Sequence, residues 1–176
     1  MLSQSDTSLY REAFAAAGRG KWRTADRLAE RARQPLPAKV LVWKEMTTPG
    51  ARQTFDQITR FMDANPHWPG RKKLRRRAEE AITPGSKADQ LLAWFASHPP
   101  LTTDGKTAMG RALMATGSTA AAKAMLRRAW IEGSFGRRQE SRFLRRYRKL
   151  LTRDDHMARL DRLLWNGRHR QALRMM

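Results

Sequence analysis

Cysteine is absent from the 176 residues, which excludes disulfides, thiolate chemistry and cysteine-held metals while leaving both reducing and oxidising compartments open. No apolar run approaches the ~20 residues that cross a bilayer. No stretch shows the strict alternation or β-branched enrichment of a strand. Acidic residues are scarce, with 16 Asp and Glu against 36 Lys and Arg and a formal charge of +20. Such an excess repels itself unless an anion lies nearby, so nucleic acid, an anionic membrane and the bacterial cell wall all qualify as partners. The opening "MLSQSDTSLYREAF" lacks a basic segment followed by an apolar core, so it does not read as a signal peptide. The expectation is a cytosolic protein, or one whose signal has been removed.

What is present is helical periodicity nearly throughout, punctuated by Pro and Gly clusters such as Gly18 to Gly20, Asn65 to Gly70 and Gly133 to Gly136. These breaks predict about ten or eleven short helices joined as hairpins. Ser86 to Asp89 and Thr152 to Asp155 have the spacing of a capping box. Three segments pair a turn glycine with an alanine five residues on: Gly20 with Ala25, Gly117 with Ala122, and Gly167 with Ala172. A small residue there lets the second helix pack closely on the first, as in helical-hairpin solenoids. The predicted fold is all-α, a right-handed superhelix or solenoid of short antiparallel hairpins, a degenerate relative of tetratricopeptide arrays. It is read as one domain over 1–176, ending inside a repeat and therefore truncated before further protein.

The basic residues concentrate in two segments. In "NPHWPGRKKLRRRAEEA", Leu74, Ala78, Ala81 and Ile82 form a narrow apolar stripe while the cations point elsewhere, and Glu79 and Glu80 are placed to pair with Arg75 and Arg76. In "GRRQESRFLRRYRKLL", Phe143, Leu144, Tyr147, Leu150 and Leu151 form one stripe, with Arg138, Arg142, Arg145 and Lys149 on another face. A charge run on an amphipathic helix is most often a solvated face. The candidate anion-contacting residues are Arg71, Arg75, Arg76, Arg138, Arg142, Arg145 and Lys149. Nucleic-acid binding would call for aromatics exposed among the cations, whereas the six tryptophans fall mostly at hairpin turns or on apolar faces suited to core packing.

Catalytic motifs are thin. Gly105-Lys106-Thr107 has the tail of a phosphate-binding loop without its upstream glycine or strand. His67, His98, His156 and His169 are scattered, so no metal is expected, and no cofactor is. Asp154 and Asp155 precede His156, but acids in a helix's first turn are explained by its dipole. No catalytic residue is assigned.

The words "NPHWP", "LRRRAEEA", "WFASHPPLT" and "DHMARLDRLLWNGR", within a likeness running from Leu9 to Met176, resemble the N-terminal helical region of soluble lytic murein transglycosylases of Gram-negative bacteria. The resemblance implies a superhelical scaffold supporting a lysozyme-like C-terminal module, in which a glutamate cleaves the MurNAc–GlcNAc β-1,4 bond to a 1,6-anhydro product. That module's Glu-Ser pair precedes a Gly-Leu-Met-Gln motif. Here Glu140-Ser141 stands in "RRQESRFLRR" without it, so no catalytic residue carries over. The implied role is a periplasmic, non-catalytic scaffold that contacts peptidoglycan through its parent enzyme. The alternative is a cytosolic basic helical-repeat protein that binds nucleic acid.

Overall fold

A computed structural model describes residues 2–175, which contain eleven α-helices, two single-turn 3₁₀ segments and no strand. The chain divides between Ala78 and Glu79 into two compact units.

The first unit begins with α1 (Gln4–Gly18) and α2 (Trp22–Glu30), closed as a hairpin at Gly20 and covered by α3 (Pro35–Met46). Its core is built largely of alanine: Ala13, Ala16, Ala17, Ala25 and Ala29 are buried with Tyr10 and Leu41. Side chains this small bring the helix axes close together. Polar ties then fix the loops. Buried Asp6 accepts the Arg33 N–H at 3.0 Å, and the Tyr10 hydroxyl donates to the Gln34 carbonyl. Buried Glu45 accepts from Arg52 Nε and Gln53 Nε2. α4 (Phe55–Ala64) starts with a capping box in which Thr54 Oγ1 and the Gln57 side chain satisfy each other's backbone amides. α5 (Arg71–Glu80) follows the Trp-Pro-Gly turn, where Gly70 has φ 76°.

In the second unit, α6 (Ala88–Ser97), α7 (Thr103–Ala115) and α8 (Thr119–Glu132) pack in sequence. α10 (Arg153–Trp165) packs on α8, and α11 (His169–Ala172) on α10. Between them runs α9 (Arg137–Tyr147). The core is aromatic where the first unit's is alanine: Trp130 stacks on Phe143 with centroids 5.7 Å apart, and Phe135 and Tyr147 flank Phe143. α7 and α8 meet at Gly110, where an added Cβ would lie 2.7 Å from Leu126 Cγ.

The three glycine turns are built alike. Gly20, Gly117 and Gly167 have φ of 71°, 81° and 64°, a region that favours glycine. In each, the next residue's N–H reaches back to close the first helix: Lys21 to Ala16 O, Ser118 to Leu113 O, and Arg168 to Leu163 O. The alanine five positions after each glycine is buried, at 0%, 0% and 2% exposure for Ala25, Ala122 and Ala172. The Gly/Ala pattern thus marks real hairpins. Of the two expected capping boxes, Thr152 with Asp155 forms, whereas Ser86 does not cap α6. Its Oγ instead accepts the Thr83 N–H at 3.2 Å, and Lys87 holds the cap position without a side-chain bond.

Candidate anion-binding site

α9 turns its apolar residues inward. Phe143 and Tyr147 are buried, with Leu144, Leu150 and Leu151 half-buried beside them. Gln139 anchors the start, accepting from the Gly136 N–H and donating to Asp104 Oδ1 at 2.6 Å. The opposite side carries Arg138, Arg142 and Arg145, and Lys149 follows in the single-turn 3₁₀ segment Arg148–Leu150; all four are exposed. Spacings of four and three residues keep the three arginines on one face, with Arg138 and Arg145 ~10 Å apart along the axis. The one acid of α9, Glu140, is buried. Arg142 feels the nearby charge of Asp104.

The α5 candidates belong to the other unit and differ in kind. Arg71 is half-buried, and its Nη1 donates to the Met62 and Pro66 carbonyls, closing the end of α4. Arg75 is half-buried and Arg76 exposed. Glu79, expected as an exterior pairing partner, is completely buried. Its carboxylate accepts from the Leu101 and Thr102 amides and from the Thr102 hydroxyl. That density of donors explains how the charge is tolerated without water.

Behind the α9 face lies a cluster that the sequence did not disclose. Arg159 is fully buried, and its Nη1 donates to the Trp130 and Gly133 carbonyls at 2.7 and 2.8 Å. Arg162 donates to the Ile131 and Gly133 carbonyls. Together they satisfy carbonyls at the C-terminal end of α8, where the helix leaves acceptors unpaired and the dipole favours cations. Arg159 Nη2 also donates to Glu140 Oε1 at 2.9 Å, and Arg174 Nε to Glu140 Oε2 at 2.7 Å. Burial lowers the Arg159 pKa, and Glu140 pulls it back up. The available signal was Asp155, Arg159 and Leu163 at i, i+4, i+8, one buried stripe on α10.

Glu140 also borders a cavity of about 390 Å³, with Trp130, Arg137, His156, Arg174 and Met175 around it. Both carboxylate oxygens accept from guanidinium groups, which ties Glu140 into the packing of α9 against α10 and Arg174. Ser141 Oγ is likewise occupied, donating to the Arg137 carbonyl at 3.1 Å. The indole Nε1 of Trp130 is buried without a hydrogen-bond partner, a condition that costs ~1–3 kcal/mol when nothing accepts from the donor. In the first unit, an open apolar groove of about 590 Å³ is lined by Val40, Trp43, Pro66, His67 and Trp68. Trp43 Nε1 donates to the Pro69 carbonyl at 2.8 Å, and Lys39 Nζ lies 5.0 Å from the Trp68 ring.

The remaining sequence candidates fall to structural uses. Gly105, Lys106 and Thr107 sit in the first turns of α7, where Lys106 pairs with Glu132 and the Thr107 hydroxyl donates to the Thr103 carbonyl. His98 ends α6 and stacks on Trp94 at 4.9 Å. Asp155 accepts from Arg127 and from Thr152. Among the described residues, no group of three or more His, Asp or Glu is placed to hold a metal ion, and no helix is long and apolar enough to cross a membrane. Trp130 is buried and four other tryptophans are half-buried, but Trp165 is 91% exposed, contrary to the packing expected of it.

Compared with known proteins, the chain matches no family model, no curated protein and no solved structure.

Proposed function

We propose that this chain is the non-catalytic helical scaffold of a periplasmic lytic murein transglycosylase, supporting cleavage of the MurNAc–GlcNAc bond by a module outside this sequence. Its hairpins continue one another as a right-handed, degenerate tetratricopeptide-like superhelix. One observation carries the reading: the segment "DHMARLDRLLWNGR", among the most specific words of the resemblance, supplies residues on which the second unit is built. Asp155 caps α10, Arg159 closes the end of α8, Leu163 is fully buried, and Gly167 makes the third hairpin turn. Those structural roles support the scaffold reading. The exposed α9 cations add a surface for the free carboxylates of peptide stems, an attraction that salt screens.

The test is co-sedimentation of the purified chain with isolated sacculi, together with an immunoblot of fractionated source cells. Binding at low salt that is lost above about 0.5 M, where screening confines attraction to a few ångströms, supports the reading. So does an envelope band much heavier than 20.3 kDa. No sacculus binding even at low salt, with a cytosolic band at 20.3 kDa, overturns it.

Trp165 favours a second reading, in which the chain binds nucleic acid. An exposed indole followed by exposed Arg168 and Arg170 has the pairing of stacking face and cation that single strands use. Affinity for an oligonucleotide that falls linearly on a log–log plot against salt, and drops on Trp165→Ala, would establish it.

A further inference from the structure

Three side chains around the cavity behind α9 have unused hydrogen-bonding capacity. Arg137 lines it, is exposed, and its guanidinium has no partner among the described residues. The His156 ring touches Trp130 edge-on at 5.3 Å, and neither of its nitrogens is hydrogen-bonded among the described residues. Trp130 Nε1 is the buried, unpartnered indole donor. By contrast, Glu140 and Arg174 are committed to each other, and Arg159 shares that pair from beneath. Leaving His156 out of the count, the lining carries two guanidinium groups, of Arg137 and Arg174, against the one carboxylate of Glu140. The cavity therefore has an excess of positive charge and of donors.

We propose that this cavity is a binding site for a small organic anion, with a carboxylate or phosphate head directed to Arg137 and His156. The same acceptor, or a water it orders, completes Trp130 Nε1. At about 390 Å³ the space exceeds what a bare inorganic ion fills and lies within the range of small-molecule sites. Leu144 and Met175 supply apolar wall for the rest of the ligand. Charge sets the sign of the head group, since an uncharged acceptor gains less from a guanidinium than an anion does. The proposal does not depend on the scaffold reading and concerns a different surface from the exposed α9 cations.

The test follows the six indole N–H resonances of the full ¹⁵N-labelled chain during titration with benzoate, phenyl phosphate and uncharged benzamide. Saturable movement of the Trp130 resonance with either anion, and none with benzamide, supports the site and identifies the head group. Arg137→Gln, at an exposed position, should weaken that binding about tenfold, as expected for loss of one charge-assisted hydrogen bond. His156→Gln provides a second variant should the first alter folding. The proposal is overturned if neither anion moves the Trp130 resonance, if benzamide moves it equally, or if both variants bind like the parent. Sacculus binding by those same variants reports separately on the scaffold reading.

Discussion

Arg159 and Glu140 form an ion pair with both partners inside the second unit, at 0% and 8% side-chain exposure and 2.9 Å between Nη2 and Oε1. The pair joins α10 to α9, and the same guanidinium lies 4.3 Å from the Trp130 ring. Stacking, ion pairing and helix closure thus converge on one side chain. Arg159→Met should destabilise the second unit by about 3 kcal/mol, because Glu140 Oε1 loses its buried donor and keeps only Arg174 on its other oxygen, while the Trp130 carbonyl loses its partner. Urea denaturation followed by tryptophan fluorescence measures it, and a loss under 1 kcal/mol would show the pair to be dispensable.

Glu79 gives a second test of buried charge. Glu79→Gln keeps the shape but replaces one acceptor oxygen with an amide that cannot accept from Thr102. A loss of about 1–3 kcal/mol is expected. Gly105→Ala should be damaging for a related reason, since a Cβ there would run into the Glu79 carboxyl. Thermal melts of both variants decide; an unaffected Gly105→Ala would mean that the carboxyl moves aside freely.

Two glycines separate backbone strain from crowding. Nothing lies within 4 Å of a Cβ added at Gly117, so Gly117→Ala should cost only the left-handed conformation, ~1–2 kcal/mol. Gly110 is helical, and Gly110→Ala fails instead by collision with Leu126. Combining each with Leu126→Ala distinguishes them: the smaller neighbour should relieve Gly110→Ala and leave Gly117→Ala unchanged.

Asp155 makes stability depend on acidity. Burial pushes its carboxyl pKa up, but the Thr152 amide, Arg127 and the Thr152 hydroxyl together outweigh burial and hold it below its ordinary value. The folded state therefore binds this proton less readily than the unfolded one. The resulting stability is present above the unfolded pKa of ~3.9 and disappears as pH falls through the lowered folded value. Asp155→Asn should flatten that part of the stability–pH curve. An unchanged slope in the acid range would remove Asp155 from the account.

The α9 face predicts a charge effect without a structural one. Replacing Arg138, Arg142, Arg145 and Lys149 together by Gln should weaken adsorption to sacculi at least severalfold and reduce its salt dependence, with helix content unchanged by circular dichroism. Equal adsorption would transfer the role to other cations.

The helices and their three glycine hairpins were legible because each depends on neighbours in sequence. A glycine with positive φ and an alanine five positions later suffice to place the turn and the close contact. The inward stripe of α9 was legible for the same reason. The burial of Glu79, Glu140 and Arg159 was not, since each charge is compensated by groups 19 to 34 positions away and a local pattern sees only an acid or a base on a helix. Ser86 and Thr152 illustrate the limit. Both precede an acid at capping distance, but Ser86 is drawn into a tight turn with Thr83, while Thr152 has extended backbone with ψ 168° and caps its helix. Trp165 was misjudged because exposure at a hairpin shoulder depends on what packs there.

The repeated glycine turns also bear on how the chain acquires its structure. Each closes through backbone bonds spanning five residues, so ordering a hairpin requires little loop-closure entropy and no distant segment. A chain assembled from such units can fold progressively from its N-terminus as it is synthesised, each hairpin forming soon after its second helix emerges. The slower events left to such a chain are the longer-range charge contacts, such as the meeting of Arg174 with a glutamate made thirty-four residues earlier.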